Sequence, residues 1–580
     1  MSCADRSASL RCASGSSIWP DRIAPTSPKD GPSPSEAMKL LADQGAASFD
    51  KVAECYSGPE QSVWELVMGK QIDIGGASST MEVAQKAGVG PGMKGVDLNC
   101  NNGGGMRCLV RLCGVDQMVG VDLAKSVVET GRVRTTEEGL DGKISFINAN
   151  SLENGLPDAS ADFVYSKDAW CYMPDKQLIV DQAARIVKPG GKIFFTDWME
   201  GENLSDEEAQ RFLGLMTFPA IPTVQEYAAM LEKAGCTVQV AQNSGRFSPA
   251  MDCYTYMLKY QAVYDAKKLL GWDEKAYEKL ISDFEFMAKL AKEGKIIQGM
   301  FVATKKWEQV RGAGVGLTGA TSFDKVAECY NGSEQSVWEL VMGKQIDIGG
   351  ASSTMEVAQK AGVGPGMKGV DLNCNNGGGM RCLVRLCGVD QMVGVDLAKS
   401  VVETGRVRTT EEGLDGKISF INANSLENGL PDASADFVYS KDAWCYMPDK
   451  QLIVDQAARI VKPGGKIFFT DWMEGENLSD EEAQRFLGLM TFPAIPTVQE
   501  YAAMLEKAGC TVQVAQNSGR FSPAMDCYTY MLKYQAVYDA KKLLGWDEKA
   551  YEKLISDFEF MAKLAKEGKI IQGMFVATKK

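Results

Sequence analysis

Two kinds of hydrophobic pattern alternate along this chain. Short apolar runs of strand length are separated by longer stretches in which apolar residues recur at helical spacing. The first predicted strand begins at Lys94, and further strands are predicted at 117–122, 144–148, 161–166 and 192–197. The helices predicted between these strands span 104–112, 126–134 and 175–187. Strands and helices that alternate in this way predict an α/β fold with a doubly wound, mostly parallel, Rossmann-like sheet.

The later part of the pattern predicts a cover over that sheet. Residues 204–234 and 251–291 have helical spacing, and further strands are predicted at 237–240 and 295–304. Ligands of parallel sheets bind beyond the carboxyl ends of the strands. We therefore expect the inserted helices to form a lid that carries specificity.

The chain contains this arrangement twice. Residues 48–306 recur as residues 322–580, with Ser57 replaced by Asn331 and Pro59 by Ser333. Each copy is large enough to own a core, so we predict two tandem domains. Residues 1–47 are expected to form a disordered tail, and residues 307–321 a Gly-rich linker that leaves the domains loosely coupled. Each copy is then expected to fold and act alone, and intramolecular pairing of the two domains stays open.

Composition excludes several classes of chemistry. The chain has 76 acidic and 62 basic residues, a net charge of −14, and no histidine. The acidic balance argues against binding to nucleic acid. The missing histidine excludes imidazole bases, Ser-His-Asp systems and histidine-based metal sites, and we expect no metal.

The number of cysteines and the length of the apolar runs predict the cellular compartment of the protein. Sixteen scattered cysteines, an odd seven in each copy, favour reduced thiols. No apolar run approaches the length of a membrane span, so we expect a cytoplasmic protein with no membrane partner. Residues 1–20 are faintly similar to an organellar transit peptide.

One stretch concentrates the candidate chemistry. The sequence KGVDLNCNNGGG at 94–105 predicts a strand that ends in an Asn- and Gly-rich turn and runs at once into a helix. Free backbone N–H groups and the positive end of the helix dipole suit a nucleotide-like or carboxylate-bearing ligand there. The next strand ends in Asp122, where an α/β sheet places the carboxylate that accepts both ribose hydroxyls.

Most of the other predicted strands also end in a polar residue. These strand ends carry Asn99, Asp122, Asn150, Asp168 and Asp197. Together they predict a wall of carboxylates and amides, which suits a ligand with hydroxyls, an amino group and a positive charge.

Taken in order, these motifs resemble those of the class I S-adenosylmethionine-dependent methyltransferases over nearly all of each copy. The matching segments are the acid and glycine loop at 97–105, Asp122, LPDASADFVY at 156–165 and KPGGKIFFTD at 188–197. Within that class, the early IGG, SKDAWCYMPDK at 166–176 and FTDW at 195–198 are similar to the sarcosine/dimethylglycine-type methyltransferases, close to the phosphoethanolamine methyltransferases. The resemblance implies S-adenosylmethionine as the cofactor and a small-molecule methyl acceptor as the partner.

The resemblance also implies roles for individual residues. The implied cofactor-binding residues are Gly75, Gly76, Asp97, Asn99, Gly103, Asp122, Asn150, Ser151 and Asp168 in copy one, and Gly349, Gly350, Asp371, Asn373, Gly377, Asp396, Asn424, Ser425 and Asp442 in copy two. The implied catalytic residues are Asp168, Tyr172, Asp442 and Tyr446. The implied substrate-binding residues are the aromatic Trp170, Tyr172, Trp198, Trp444, Tyr446 and Trp472.

Alternatives stand beside several of these roles. The aromatic residues would hold a methylated ammonium by cation–π attraction, and ordinary core packing is the alternative for them. The glycine pair at 75–76 could lie over a ligand or make a plain turn into a helix, which Ser78 or Ser79 would cap. Lys167 and Arg246 could clamp a substrate carboxylate, or lie solvated on the surface.

Two departures from the family's pattern affect the predicted cofactor site. Asn99 and Asn101 stand where the family's loop usually begins with Gly, and Asn is the non-glycine residue best suited to left-handed backbone. Asn150 replaces an acid beside adenine, and its side-chain oxygen can still accept a hydrogen bond.

The functional hypothesis is N-methylation of a small amine, such as a glycine derivative in betaine-type osmolyte synthesis. Methyl transfer from a sulfonium requires alignment in a dry site. An amine acceptor needs no strong base, which fits a chain without histidine. The alternatives are methylation at sulfur, oxygen or carbon, and a non-catalytic protein that binds S-adenosylmethionine.

Overall fold

The structure, a computed structural model, describes residues 59–306 and 333–580. The predicted tail at 1–47, the predicted linker at 307–321 and the first residues of each copy lie outside the described residues.

Copy one contains ten helices and seven strands among its described residues. The helices are α1 Pro59–Met68, α2 Gly76–Ala87, α3 Gly104–Leu112, α4 Lys125–Glu137, α5 Lys176–Ile186, α6 Asp206–Met216, α7 Val224–Lys233, α8 Phe247–Tyr256, α9 Val263–Leu269 and α10 Glu274–Lys292. The strands are β1 Lys94–Leu98, β2 Gln117–Asp122, β3 Ile144–Asn148, β4 Ala161–Lys167, β5 Val187–Glu200, β6 Cys236–Asn243 and β7 Ile296–Lys305. Two 3₁₀ turns lie at Ser151–Glu153 and Trp170–Tyr172, and a π-helical turn lies at Met257–Gln261.

Copy two repeats these elements in the same order. Its helices are α11 Ser333–Met342, α12 Gly350–Ala361, α13 Gly378–Leu386, α14 Lys399–Glu411, α15 Lys450–Ile460, α16 Asp480–Met490, α17 Val498–Lys507, α18 Phe521–Tyr530, α19 Val537–Leu543 and α20 Glu548–Lys566. Its strands are β8 Lys368–Leu372, β9 Gln391–Asp396, β10 Ile418–Asn422, β11 Ala435–Lys441, β12 Val461–Glu474, β13 Cys510–Asn517 and β14 Ile570–Lys579, and its π-helical turn is Met531–Gln535.

The predicted doubly wound sheet is confirmed in both copies. Seven strands follow the order β3-β2-β1-β4-β5-β7-β6, and copy two matches it. The pairs from β3 through β5 are parallel, whereas β7 runs antiparallel to both β5 and β6. The strand order reverses between β1 and β4, which is where such sheets open a ligand-binding crevice.

The sheet is covered on both faces, because its central strands are apolar on both sides. In β4 all but one residue is buried, as expected for a parallel strand between two helical layers. Phe163 and Phe194 face a core with α2 and α3, whereas Val164 and Phe195 face a core with α5 and α7. These two layers hold the carboxyl ends of β1, β2 and β4 close together.

The structure corrects two local predictions. Helix α2 begins at Gly76 with Gly75 as its N-cap, so Ser78 and Ser79 lie inside the helix instead of capping it. The predicted helical stretch 251–291 is divided into α8, the π-helical turn, α9 and α10, because the turn breaks the regular hydrogen-bond ladder. Among the described residues, no helix combines the length and apolar character required to cross a membrane.

The described parts of the two copies are in contact, although the linker predicts loose coupling. One apolar cluster contains Met251 and Met257 from copy one together with Met525 and Met531 from copy two, all of them buried. At its centre the Cys253 Sγ lies 3.2 Å from the equivalent sulfur of copy two. A long linker permits independent domains, but apolar area of this kind is more stable when covered.

Candidate active site

The loop after β1 adopts the left-handed backbone that its asparagines allow. Asn99 has a φ of 66° and Asn101 a φ of 48°. Gly103, with a φ of 72°, is the N-cap of α3. The expectation that asparagine tolerates this turn is therefore confirmed. Helix α3 begins close to the end of β1, and its first N–H group, that of Gly104, donates to Asn102 Oδ1 at 3.1 Å.

The glycines of this loop are required by packing. A Cβ at Gly103 would lie 2.6 Å from the Phe146 ring, and a Cβ at Gly105 would lie 2.6 Å from the Tyr165 hydroxyl. Both distances are too short for a side chain. The missing side chains let α3 approach the sheet closely, which brings the loop backbone next to the strand ends.

Asp122 and Asp97 lie at the ends of neighbouring strands, as predicted. The Asp122 carboxylate accepts hydrogen bonds from the backbone N–H of Asn101 at 2.8 Å and of Ala124 at 2.9 Å. Asp97 is buried, and its burial, together with the negative charges of Asp122 and Asp73, raises the pKa of its carboxyl well above the usual value. A buried carboxylate in this condition favours a hydrogen-bond donor or a cation as its partner.

The opposite wall of the cleft comes from the segment between α1 and α2. The cleft is lined by Gln71, Ile72, Asp73, Asp97, Asn99, Cys100, Asn101, Asn102, Gly104, Gly105, Tyr165 and Lys167. Gln71 Nε2 donates to Asp73 Oδ2 at 2.8 Å, and Lys167 Nζ lies 3.3 Å from Asp73 Oδ1. Burial raises the pKa of Asp73 to about 6, and Lys167 opposes that rise.

Asp73 was not predicted from the sequence to line the cleft. It stands in the IDIGG run, where only the glycines were given a predicted role. An acid between isoleucines just before a helix was the available signal.

Asp168 is a structural centre of this wall. Its carboxylate accepts hydrogen bonds from Ile74 N at 2.8 Å, from Thr196 Oγ1 at 2.8 Å, and from Gln298 Nε2 at 2.8 and 2.9 Å. It has a φ of 49°, a strained value for a residue with a side chain. Because both carboxylate oxygens are engaged inside the protein, the geometry gives Asp168 a role in holding the Ile74 segment.

Asn150 and Ser151 begin the 3₁₀ turn after β3. The Asn150 side-chain oxygen accepts from Leu152 N at 3.0 Å and caps that turn. Ser151 is buried, and its hydroxyl has no hydrogen-bond partner. The contact of Asn150 with adenine and the role of Ser151 in cofactor binding stay predictions.

The three aromatic candidates differ in their surroundings. Trp170 is 1 % exposed, with its ring 4.3 Å from the Phe195 ring. Trp198 is 4 % exposed and packs edge-on against Phe247 at 4.8 Å. These tryptophans lie where the core-packing alternative puts them, and only Tyr172 is partly exposed.

Asp197 lies inside β5, three residues before the end of the strand, and belongs to a separate buried network. Its carboxylate accepts from the Tyr227 hydroxyl at 2.9 Å and from Cys171 N at 3.1 Å. Burial raises its pKa to about 6, and the nearby Lys176 opposes the rise. Burial also lowers the pKa of Lys176 to about 8. This network fixes the Trp170–Tyr172 turn above the strand ends.

The two basic candidates for a substrate clamp have acidic partners. Arg246 Nη2 lies 2.6 Å from Glu82 Oε2. Lys167 is 8 % exposed, donates to Ser79 Oγ at 2.7 Å and pairs with Asp73. The predicted surface alternative is therefore wrong for Lys167, and an anionic substrate group would have to compete with an acid already in place.

The glycine pair at 75–76 faces the other copy. Gly75 N donates to Gln535 Oε1 at 3.1 Å, and a Cβ at Gly76 would lie 2.1 Å from the Gln535 carbonyl oxygen. This contact, without any ligand, accounts for the lack of a side chain at Gly76. Binding of the cofactor by this pair stays a prediction.

The polar atoms left without partners fit S-adenosylmethionine. Asn99 Oδ1 is buried and unpaired, and the equivalent Asn373 Oδ1 and neighbouring Asp371 Oδ1 in copy two are too. Buried oxygens of this kind are costly unless a donor reaches them. Asn99 and Asp97 would meet the amino group of the methionine portion, which carries the donors that an unpaired oxygen lacks. Asp122 would meet the ribose hydroxyls with the remaining acceptor capacity of oxygens that already accept from Asn101 and Ala124.

The fold and this cleft are those expected of a methyltransferase domain, and a comparison with known proteins gives matches to such domains. A family model described as a methyltransferase domain matches residues 96–195 and again 370–469. Each copy therefore contains one match to a methyltransferase domain, and the two matches lie in tandem. S-adenosylmethionine is the cofactor of this class, and the predicted cofactor residues Asp97 and Asp122 lie within the matched range.

Among curated relatives, the chain is similar to phosphoethanolamine N-methyltransferases of plants. It is 28% identical to phosphoethanolamine N-methyltransferase 1 of Arabidopsis thaliana over 40% of this chain and 43% of that protein. It is 22% identical to phosphoethanolamine N-methyltransferase 1 of Zea mays over 76% of this chain and 78% of that protein. The chain thus spans less than half the length of the first relative and about three quarters of the second.

A solved structure was also matched. The phosphoethanolamine N-methyltransferase 2 of Haemonchus contortus, in complex with phosphomonomethylethanolamine and S-adenosylhomocysteine, has 15% sequence identity and a TM-score of 0.39. The match covers 87% of this chain and 98% of that one.

Proposed function

We propose that each copy transfers a methyl group from S-adenosylmethionine to the nitrogen of a small amine, such as a glycine derivative. The observation that carries the proposal is the acidic character of the cleft. Asp73, Asp97 and Asp122 converge beside the glycine loop, and no histidine exists in the chain to supply an imidazole base.

The acidic cleft suits a cationic cofactor and a cationic acceptor. The cofactor supplies an electrophilic methyl group on a sulfonium. Carboxylates beside the cleft stabilise positive charge, and their buried position strengthens that attraction. Asp97, Tyr165 and Lys167 at the strand ends are buried, so the protein's contribution in this proposal is alignment of the cofactor and the acceptor in a dry site.

The acceptor is recognised by its amine more than by an acidic group. The names of the relatives point to phosphoethanolamine, whose phosphate requires cations. Lys167 and Arg246 pair with Asp73 and Glu82, and either pair would have to open for a phosphate or a carboxylate. Tyr172, edge-on to Phe218 at 4.8 Å, is the aromatic candidate that remains partly exposed to an ammonium.

A two-stage experiment tests this function. Titration of the full chain with S-adenosylhomocysteine in a calorimeter should give two sites per chain, because the strand-end acids occur in both copies. Mass spectrometry should then detect methylated product from sarcosine, dimethylglycine or dimethylethanolamine, at higher rates than from phosphoethanolamine. Binding without any methylated amine would contradict N-methylation, and products from phenols or thiols alone would identify a different acceptor class.

A further inference from the structure

Gln535 of copy two inserts its side chain into copy one. It is the last residue of the second π-helical turn and is 2 % exposed. Its Nε2 donates to the carbonyl oxygens of Met68 and Asp73, each at 2.9 Å. Its Oε1 accepts from Gly75 N at 3.1 Å and from the Tyr254 hydroxyl. The Gln535 side-chain amide therefore forms hydrogen bonds with both N–H and carbonyl groups of the copy-one backbone between Met68 and Gly75.

That segment is one wall of the copy-one cofactor cleft. Asp73 lines the cleft, and the next residue, Ile74, donates its N–H to Asp168. The Gln535 backbone lies so close that a side chain at Gly76 would collide with it. The wall is thus held by Asp168 from its own copy and by Gln535 from the other.

A second contact from copy two reaches the opposite wall. The Tyr538 hydroxyl donates to Glu138, and Lys542 Nζ lies 3.0 Å from Glu138 Oε1. The same carboxylate lies 3.6 Å from Arg107 Nε, and Arg107 Nη1 donates to the Asn102 carbonyl oxygen at 2.6 Å. Asn102 belongs to the loop after β1, so copy two supports both walls of the cleft.

The arrangement is reciprocal. Gln261 of copy one donates to the carbonyl oxygens of Met342 at 2.8 Å and Asp347 at 3.0 Å, and accepts from Gly349 N at 3.2 Å. Tyr264 and Lys268 contact Glu412, which pairs with Arg381. Each copy therefore presents its π-helical turn and the following helix to the cleft of the other.

We propose that Gln535 and Gln261 are positioning residues for the cofactor site of the opposite copy, so that neither site is complete without the other copy. The π-helical turn inserts an extra residue and turns the glutamine out of the regular helix path, a device that recurs at functional sites. The glutamine acts through the Gly69–Gly76 segment and does not contact the cofactor itself. This proposal rests on the proposed function to the extent that the cleft must bind S-adenosylmethionine.

The test uses the full chain with one site disabled. Asp396→Ala weakens the copy-two site, so calorimetry with S-adenosylhomocysteine then reports the copy-one site. Gln535→Met is added in one variant and Gln261→Met in the matched control. Methionine keeps the volume of glutamine and removes its hydrogen bonds, and both substitutions damage equivalent positions of the same interface. Melting temperatures should therefore fall equally.

The two variants should separate in cofactor affinity. Because several buried hydrogen bonds to the copy-one wall are lost, affinity with Gln535→Met should be about tenfold lower than with Gln261→Met. Equal affinities would show that each glutamine serves only the general stability of the interface. A greater loss with Gln261→Met would show that it acts within its own copy. Either outcome overturns the proposal.

Milder variants keep the test decisive if the methionine variants unfold. Tyr538→Phe and Tyr264→Phe, in the same Asp396→Ala background, remove one hydroxyl each from equivalent places. The first should again lower affinity for the copy-one site more than the second, about threefold for one hydrogen bond. Failure of the parent protein to bind S-adenosylhomocysteine would instead contradict the proposed function.

Discussion

The two walls of each cofactor cleft are built in different ways. The wall beside β1 and β2 is assembled mainly from residues close in sequence, where Asp122 bonds the backbone of Asn101 and Gly103 is the N-cap of α3. Copy two reaches this wall only indirectly, through Glu138 and Arg107. The wall at 71–74 depends on Gln535, more than 400 residues away along the chain. Local chemistry therefore determines where the cofactor can bind, whereas contact between the copies determines how firmly the cleft is shaped.

The largest expected effect comes from separating the copies. Residues 48–306 expressed alone should not persist as a monomer, because the apolar cluster shared by Met257 and Met531 would be exposed. Because the two copies are nearly identical in sequence, a second molecule of copy one can take the place of copy two, and we expect a homodimer. Light scattering should give twice the mass of one copy. A monomer that binds S-adenosylhomocysteine as tightly as the full chain would show that the cleft does not depend on contact between the copies.

Truncation of Trp170 tests the part of the site that one copy builds alone. Trp170→Ala should lower the free energy of unfolding by about 3–5 kcal/mol, because the ring fills the core against Phe195. Chemical denaturation measures the loss, and Tyr172→Phe, which keeps its ring, is the control. A raised Michaelis constant for the amine with unchanged stability would show that Trp170 contacts the acceptor and is not only a core residue.

The pH dependence of stability tests the buried network around Asp197. The pKa of Asp197 is raised from 3.8 to about 6 by burial, so the unfolded chain releases this proton at lower pH than the folded protein. The folded state is penalised as pH rises from about 4 to about 6, and the penalty persists above that range. Relative to wild type, Asp197→Asn should therefore gain up to about 3 kcal/mol between pH 3.5 and pH 7, roughly two pKa units at 1.4 kcal/mol each.

Unfolding midpoints in denaturant at several pH values would show this gain. Asp158→Asn is the control, because the Asp158 side chain is 77% exposed. A gain that runs in the opposite direction with pH would mean that Asp197 is stabilised as an anion in the folded protein.

The smallest effect is expected from a single strand-end acid. Asp122→Ala removes an acceptor from Asn101 and the predicted partner of the ribose hydroxyls, and should weaken cofactor binding at that copy by about 1–3 kcal/mol. Calorimetry should then show one tight and one weak site. Asp396→Ala is the matched variant in copy two and should give the same pattern. Two unchanged sites would place the cofactor elsewhere.

Prediction from sequence succeeded where the deciding contacts are local. The alternation of strands and helices predicted the sheet, and the asparagine-rich turn predicted left-handed backbone at Asn99 and Asn101. Burial was harder to foresee, because Trp170 stands beside a strand end in either role and only packing against Phe195 distinguishes them. The hydrogen bonds of Asp168 were hard to foresee for the same reason, since its partners Ile74 and Gln298 come from distant segments, and its role at the cofactor stays a prediction.

The sequence by itself determined the repeat, the parallel sheet, the position of the cofactor loop and the absence of imidazole chemistry, because periodicity, spacing and composition depend on neighbouring residues. Only the tertiary structure decided which side chains are left to face the cleft. Lys167 is tied to Asp73, Asp168 to Ile74, and the Gly75 turn to Gln535 of the other copy. These pairings join residues from dozens to hundreds of positions apart, and a linear pattern carries no information about the distance between them in space.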